Sequence, residues 1–212
     1  MYPVFLNLAN RLCVVVGGGT VGWRKLSGLL ESGASVRVVC LEPCPPDLSA
    51  PRLQWLTEPY QPNHLTGATL AFAAGTPDVN RRVVHDARAQ NIWVNAADDP
   101  EAADFFVPAT LRREKFVLAV GTGGAAPALA RRVCALLESQ FDDAFGQWVE
   151  LLGELRPAIL AAVTDSERRR DLFERLACWD WLQRLRQEDL GSVRAAMLAT
   201  IQEVAGISNH PL

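Results

Sequence analysis

The chain has 212 residues, 49% of them hydrophobic and 21% charged, with a formal net charge of −3. That length allows one full domain, a smaller appendage and a sizeable core. The charge gives no basis for a nucleic-acid or bilayer-surface protein, and no apolar run is long enough to span a membrane. The opening Met1-Tyr2-Pro3-Val4 carries no basic leader, so no targeting segment is expected. In chain order, residues 2–8 alternate weakly and are expected along or beside a sheet. The β-branched run 12–16 predicts a first strand. Gly17, Gly18 and Gly19 follow it, and residues 21–32 keep helical spacing up to a stop at Gly33. A second strand is expected over 35–40, a Pro-rich loop over 43–51 and short strands over 53–56 and 69–74. A helix over 78–90 and a strand over 92–95 come next. This alternation is that of a parallel, doubly wound sheet.

After Asp98 the pattern changes. Residues 105–109 and 115–120 read as strands joined by Arg112-Arg113-Glu114, followed by a Gly121-Thr122-Gly123-Gly124 turn and a helix over 127–139. From Phe141 onward only helical spacing remains. Phe145, Trp148, Val149, Leu152, Leu155, Ile159, Leu160 and Val163 form one stripe, with Pro157 expected to kink or split it. Thr164 to Glu167 resembles a capping box, and a last helix is expected over 189–205. Arg168, Arg169 and Arg170 read as a solvated face.

The glycines at Gly17, Gly19 and Gly22 fit Gly-x-Gly-x-x-Gly between a strand and a helix. Gly17 permits the turn, Gly19 admits a pyrophosphate to the backbone, and Gly22 lets the helix pack closely. The N–H groups from Thr20 and Val21 onward then face the phosphates. Glu42 is the carboxylate near the end of the second strand, where a ribose-binding acid belongs. No Arg or Lys lies between Val38 and Asp47 to meet a 2′-phosphate, which favours NAD over NADP. Asp98 and Asp99 sit at a strand end, where open α/β sheets bind ligands. Being adjacent, they are not expected to share one cleft. The Thr122-Gly123-Gly124 turn offers N–H groups to a carboxylate or phosphate, or serves backbone geometry alone. His64, His85 and His210 receive no role. Cys13, Cys40, Cys44, Cys134 and Cys178 are odd in number and scattered, so no zinc site or other metal-ligand cluster is read and a reducing cytoplasm is expected.

Taken in order, these motifs resemble the precorrin-2 dehydrogenase family, the dehydrogenase half of siroheme synthase. The matching segments are Pro3 to Leu8, Val15 to Lys25, Thr76 to Asn80, Asn95 to Asp98, Phe105 to Pro108 and Thr122 to Arg131. Gly22 departs from the alanine usual in the family. The resemblance implies a Rossmann-type NAD-binding domain over 1–111 and a β/α dimerisation and substrate segment over 112–149. A C-terminal helical domain over 150–212 completes the chain. It implies oxidation of precorrin-2 to sirohydrochlorin by NAD⁺, with Asp98 as general base. Thr76 and Asn80 are implied as cofactor contacts, with Thr122, Gly123 and Gly124 in the substrate cleft. It further implies a homodimer and, in some members, insertion of Fe²⁺ as a second substrate. With no methyltransferase domain in the sequence, the stand-alone form is expected. The competing reading is a non-catalytic NAD(H)-sensing module, which would need no base at Asp98.

Overall fold

A computed structural model describes residues 1–206. It divides into two compact units, 1–107 and 108–212, the second described as far as Gly206.

The first unit is a five-stranded sheet of order β3-β2-β1-β4-β5. Its elements are β1 (Leu12–Val16), α1 (Thr20–Glu31), β2 (Ser35–Cys40), β3 (Leu53–Thr57), β4 (Leu70–Ala73), α2 (Pro77–Ala89) and β5 (Trp93–Ala96). All four strand pairings are parallel. The pleat sorts the apolar runs between two cores. Cys13, Val15, Val36, Val38, Leu70 and Phe72 pack with Leu26 and Leu29 of α1. Val14, Val16, Val39, Ala71, Ala73 and Val94 pack with Val83, Val84 and Ala87 of α2. A strand covered on both faces has no polar alternation, which is why these runs read as continuous hydrophobic stretches. Only Leu8 of the opening segment reaches the core, whereas Tyr2, Val4 and Phe5 stand exposed.

The expected strand over 105–109 is corrected. Residues 104–105 are tied to the edge of β5 through Asp104 N–H to the Val94 carbonyl (2.8 Å) and Asn95 Nδ2 to the Phe105 carbonyl (2.8 Å). The Phe105 ring meets Phe72 edge-on at 5.4 Å. The strand of the second unit starts only after Pro108.

That unit opens with an antiparallel hairpin of β6 (Ala109–Arg113) and β7 (Phe116–Val120). Its two-residue turn is Glu114-Lys115, with Glu114 at φ +48°, so Arg112 and Arg113 belong to the strand. Then follow α3 (Pro127–Leu137), α4 (Asp143–Ala162), α5 (Ser166–Leu176), α6 (Trp179–Leu185) and α7 (Leu190–Ala205). Both expected domain boundaries therefore fall inside elements: 111/112 within β6 and 149/150 within α4. Pro157 does not split α4. The buried face of α4 runs through Phe145, Trp148, Leu151, Leu155 and Ile159, packed against Leu172, Leu176, Leu182, Val193, Met197 and Ile201. Leu160, placed in the stripe by spacing, is exposed. Asp142, Asp165 and Asp189 cap α4, α5 and α7 through the backbone N–H groups of Phe145, Arg168 and Ser192. The cap of α5 is thus Asp165, not Thr164.

Candidate active site

The strand order reverses between β1 and β4, and ligands of open α/β sheets bind beyond the carboxyl ends of strands at such a point. Here the chain leaves β1 through Gly17, whose N–H bonds the Val39 carbonyl at 2.9 Å. Gly17 has φ +120°, and a β-carbon on it would lie 2.2 Å from the Ala74 carbonyl oxygen. A β-carbon on Gly22 would lie 2.0 Å from the Gly17 carbonyl oxygen. Both glycines are therefore required by contact with backbone.

Gly19 differs, because a β-carbon there would meet nothing within 4 Å. It is also the N-cap of α1, with no side-chain cap and no acidic residue in the first turn. The Trp23 N–H is taken by the Gly19 carbonyl at 3.0 Å. The N–H groups of Thr20, Val21 and Gly22 precede it and have no acceptor within the helix. Unpaired donors at a helix N-terminus beside open space fit a pyrophosphate.

Gly18 faces the end of β2. A β-carbon on it would stand 2.9 Å from Glu42 Oε2 and 3.0 Å from Cys40 Sγ. The Glu42 carbonyl is held by Trp55 Nε1 at 3.0 Å and Cys40 Sγ at 3.3 Å, so the loop carrying the carboxylate is anchored against the glycine turn. Burial pushes the Cys40 thiol up, keeping it neutral. The Glu42 carboxylate thus stands beside the glycine turn at the end of β2.

Beyond β4 and β5 the register pairs Ala73 with Ala96. Gly75 and Asp98, each two residues further on, therefore emerge side by side. Asn80, on the first turns of α2 and buried, joins them. Its Oδ1 accepts the Gly75 N–H at 2.8 Å, and its Nδ2 donates to the Gly75 carbonyl at 3.3 Å and to Asp98 Oδ1 at 2.8 Å. The Asn80 amide, a cofactor contact by the family resemblance, has these partners within the protein. Thr76 caps α2 by its backbone, accepting the Asn80 N–H at 2.8 Å, with its side chain exposed. Asp99 turns away from its neighbour, accepting the N–H groups of Glu101 (3.1 Å) and Ala102 (3.2 Å). Gly17, Gly75, Asn80 and Asp98 thus form one contiguous path.

Thr122, Gly123 and Gly124 lie in the second unit. The two glycines have φ +65° and +84°, conformations that favour glycine. Thr122 Oγ1 accepts the Ala126 N–H at 3.1 Å, leading the chain into α3. Arg113 and Lys115 lie at the opposite end of the β6–β7 hairpin from this turn, where they pair with Asp143 (3.3 Å) and Glu150 (2.8 Å). The Glu150 partner raises the Lys115 ammonium above its ordinary range. Arg112 and Arg131 are exposed.

His64 is buried, its Nδ1 accepting the Gln61 N–H (3.0 Å) and its Nε2 lying 3.0 Å from Glu58. It serves local structure. His85 lies on the exposed side of α2, and His210 lies outside the described residues. Among the described residues no group of three His, Cys, Asp or Glu is placed to hold a metal, and no helix is long and apolar enough to cross a membrane.

Residues 4–109 match the model of a family described as "Putative NAD(P)-binding". The chain is 40% identical to siroheme synthase of Chromobacterium violaceum over 177 residues, covering 82% of this chain and 38% of that protein. It is 38% identical to siroheme synthase of Methylobacillus flagellatus over 176 residues, again 38% of that protein. The chain thus spans well under half the length of these relatives. Among solved structures, the one titled SirC, precorrin-2 dehydrogenase, superposes with a TM-score of 0.73 at 25% identity. That match covers 96% of this chain and all of that one.

Proposed function

This chain belongs to the NAD(P)-binding family whose model spans residues 4–109, and on that premise we propose that it oxidises precorrin-2 to sirohydrochlorin with NAD⁺. The observation that carries the reading is Asp98, an exposed carboxylate joined through Asn80 to the Gly75 backbone beside the glycine turn. The solved precorrin-2 dehydrogenase with the same fold and the siroheme synthases support the substrate.

Bound nicotinamide supplies the hydride acceptor. The N–H groups at the start of α1 hold the pyrophosphate, and Gly19 leaves room for it. Glu42 accepts from the ribose hydroxyls and repels a 2′-phosphate, which selects NAD. Loss of a hydride from the macrocycle requires a proton to leave as well. Asp98 Oδ1 is engaged by Asn80, so Oδ2 receives that proton. Thr122, Gly123 and Gly124 contribute hydroxyl and N–H groups to the substrate's carboxylates. The five free cysteines suit a reducing compartment such as the cytoplasm.

The chain also pairs with a second copy through the segment containing α3. The apolar stretch 145–163 is largely consumed inside the helical core and leaves little surface for pairing. Leu129 and Leu136, two turns apart on α3 and both exposed, support it instead. The test of function is anaerobic incubation with precorrin-2 and NAD⁺. Formation of the sirohydrochlorin chromophore with stoichiometric NADH is expected. NADH binding without turnover would instead indicate a sensing module.

A further inference from the structure

We propose that Asn80 is a positioning residue, acting through Asp98 to fix the carboxylate in the orientation that receives the substrate's proton. The inference rests on the reading of Asp98 as the base.

The orientation of the Asn80 amide follows from its partners. Gly75 presents an N–H and a carbonyl, and the amide answers both, with Oδ1 on the N–H at 2.8 Å and Nδ2 on the carbonyl at 3.3 Å. Flipping the amide would set NH₂ against N–H and oxygen against oxygen. The second Nδ2 proton is thereby left pointing at Asp98 Oδ1, 2.8 Å away. A charge-assisted bond of this kind is stronger than one between neutral groups, and Asn80 itself is only 3% exposed, which keeps competing water out. The Asn80 N–H is fixed in turn by the Thr76 carbonyl at 2.8 Å. The exposed Asp98 side chain therefore takes its direction from a buried side-chain amide anchored at two points on Gly75.

Among the described residues no Lys, Arg or His is ion-paired with Asp98, and the nearby acids have partners of their own. Asp99 is committed to the N–H groups of Glu101 and Ala102. On α2, Asp78 pairs with Arg81. Asp104 accepts the Val94 N–H and lies 3.7 Å from Arg88. Asn80 is thus the group among the described residues whose side chain is bonded to the Asp98 carboxylate.

Asn80→Asp retains the shape and the acceptor for Gly75 but replaces the donor facing Asp98 by a carboxylate oxygen. Asn80→Ala removes the donor without adding a charge. Each is measured for kcat, KM, NADH affinity and thermal midpoint, alone and combined with Asp98→Ala, as precorrin-2 is converted with NAD⁺. Both single variants are expected to lower kcat about 10- to 100-fold, with NADH affinity kept. On the Asp98→Ala background neither is expected to lower kcat further. If Asp98→Ala is crippled while both Asn80 variants keep the parent kcat, or if the losses multiply, Asn80 does not act through Asp98 and the inference fails alone. If Asp98→Ala keeps the parent kcat, the base assignment fails and takes the inference with it.

Discussion

Gly22 stands so close to Gly17 that a β-carbon on it would lie 2.0 Å from the Gly17 carbonyl oxygen. The obstacle is backbone, so it cannot be relieved by a side-chain rotation. In this chain, Gly22→Ala is expected to cost about 1–3 kcal/mol in stability, as other overpacked sites do, and to weaken NADH binding by displacing the first N–H groups of α1. Thermal unfolding and NADH fluorescence titration check this. An unchanged midpoint with unchanged affinity would show that the turn yields freely.

Gly19 faces open space, so a substitution there tests the ligand rather than the fold. Gly19→Asp is expected to leave the thermal midpoint near that of the parent and to abolish NADH binding, since bulk and negative charge would meet the pyrophosphate. In the parent, NADPH should bind more weakly than NADH, and Glu42→Ala should narrow the difference. Equal affinity of the parent for both would remove Glu42 from the ribose site.

Asp142 caps α4 and also lies 2.8 Å from Arg186 Nε. Burial pushes its carboxyl up, but the Arg186 guanidinium and the Phe145 N–H outweigh that and hold it below the ordinary range. A carboxyl depressed in the folded state contributes stability above its unfolded pKa of about 3.9. That contribution is lost as pH falls through the lower folded value. Asp142→Asn keeps a good cap and removes the charge. It should unfold slightly below the parent at neutral pH, with the gap closing below about pH 4. A gap independent of pH would mean that the pair with Arg186 contributes nothing.

Pairing of two copies is tested by Leu129→Glu combined with Leu136→Glu. Both residues are exposed in the isolated chain, so the fold should survive. Sedimentation equilibrium of the parent at micromolar concentration should give twice the chain mass of 23.2 kDa, and the double variant should give the single mass. A parent that is monomeric across the range would refute the pairing.

The sheet was legible in the sequence because its central strands are buried on both faces. The runs 12–16 and 35–40 were read to the residue, glycines punctuating one end. The helical unit was less legible. Its α6 has only seven residues and no capping signal beyond Cys178, so it escaped, and Trp179 with it. The Trp179 ring packs 5.8 Å from Phe145. Spacing alone chose Leu160 over Leu151, since both lie near the edge of one stripe and only the neighbouring helices decide between them. At the site, the glycine turn, Glu42 and Asp98 could be picked out by motif and position. The link through Asn80 could not, because Gly75 and Asp98 meet only once β4 and β5 pair in register.

Asp98 and Asp99 are adjacent carboxylates with different partners, the one bonded to Asn80 and the other capping a local turn. The most direct measurement is steady-state sirohydrochlorin formation by Asp98→Ala and Asp99→Ala under saturating NAD⁺. Asp98→Ala is expected to fall by about 10²–10⁴-fold while still binding NADH, and Asp99→Ala to stay close to the parent. Should Asp99→Ala be the crippled variant, or should neither lose activity, Asp98 is not the base and the mechanism is contradicted.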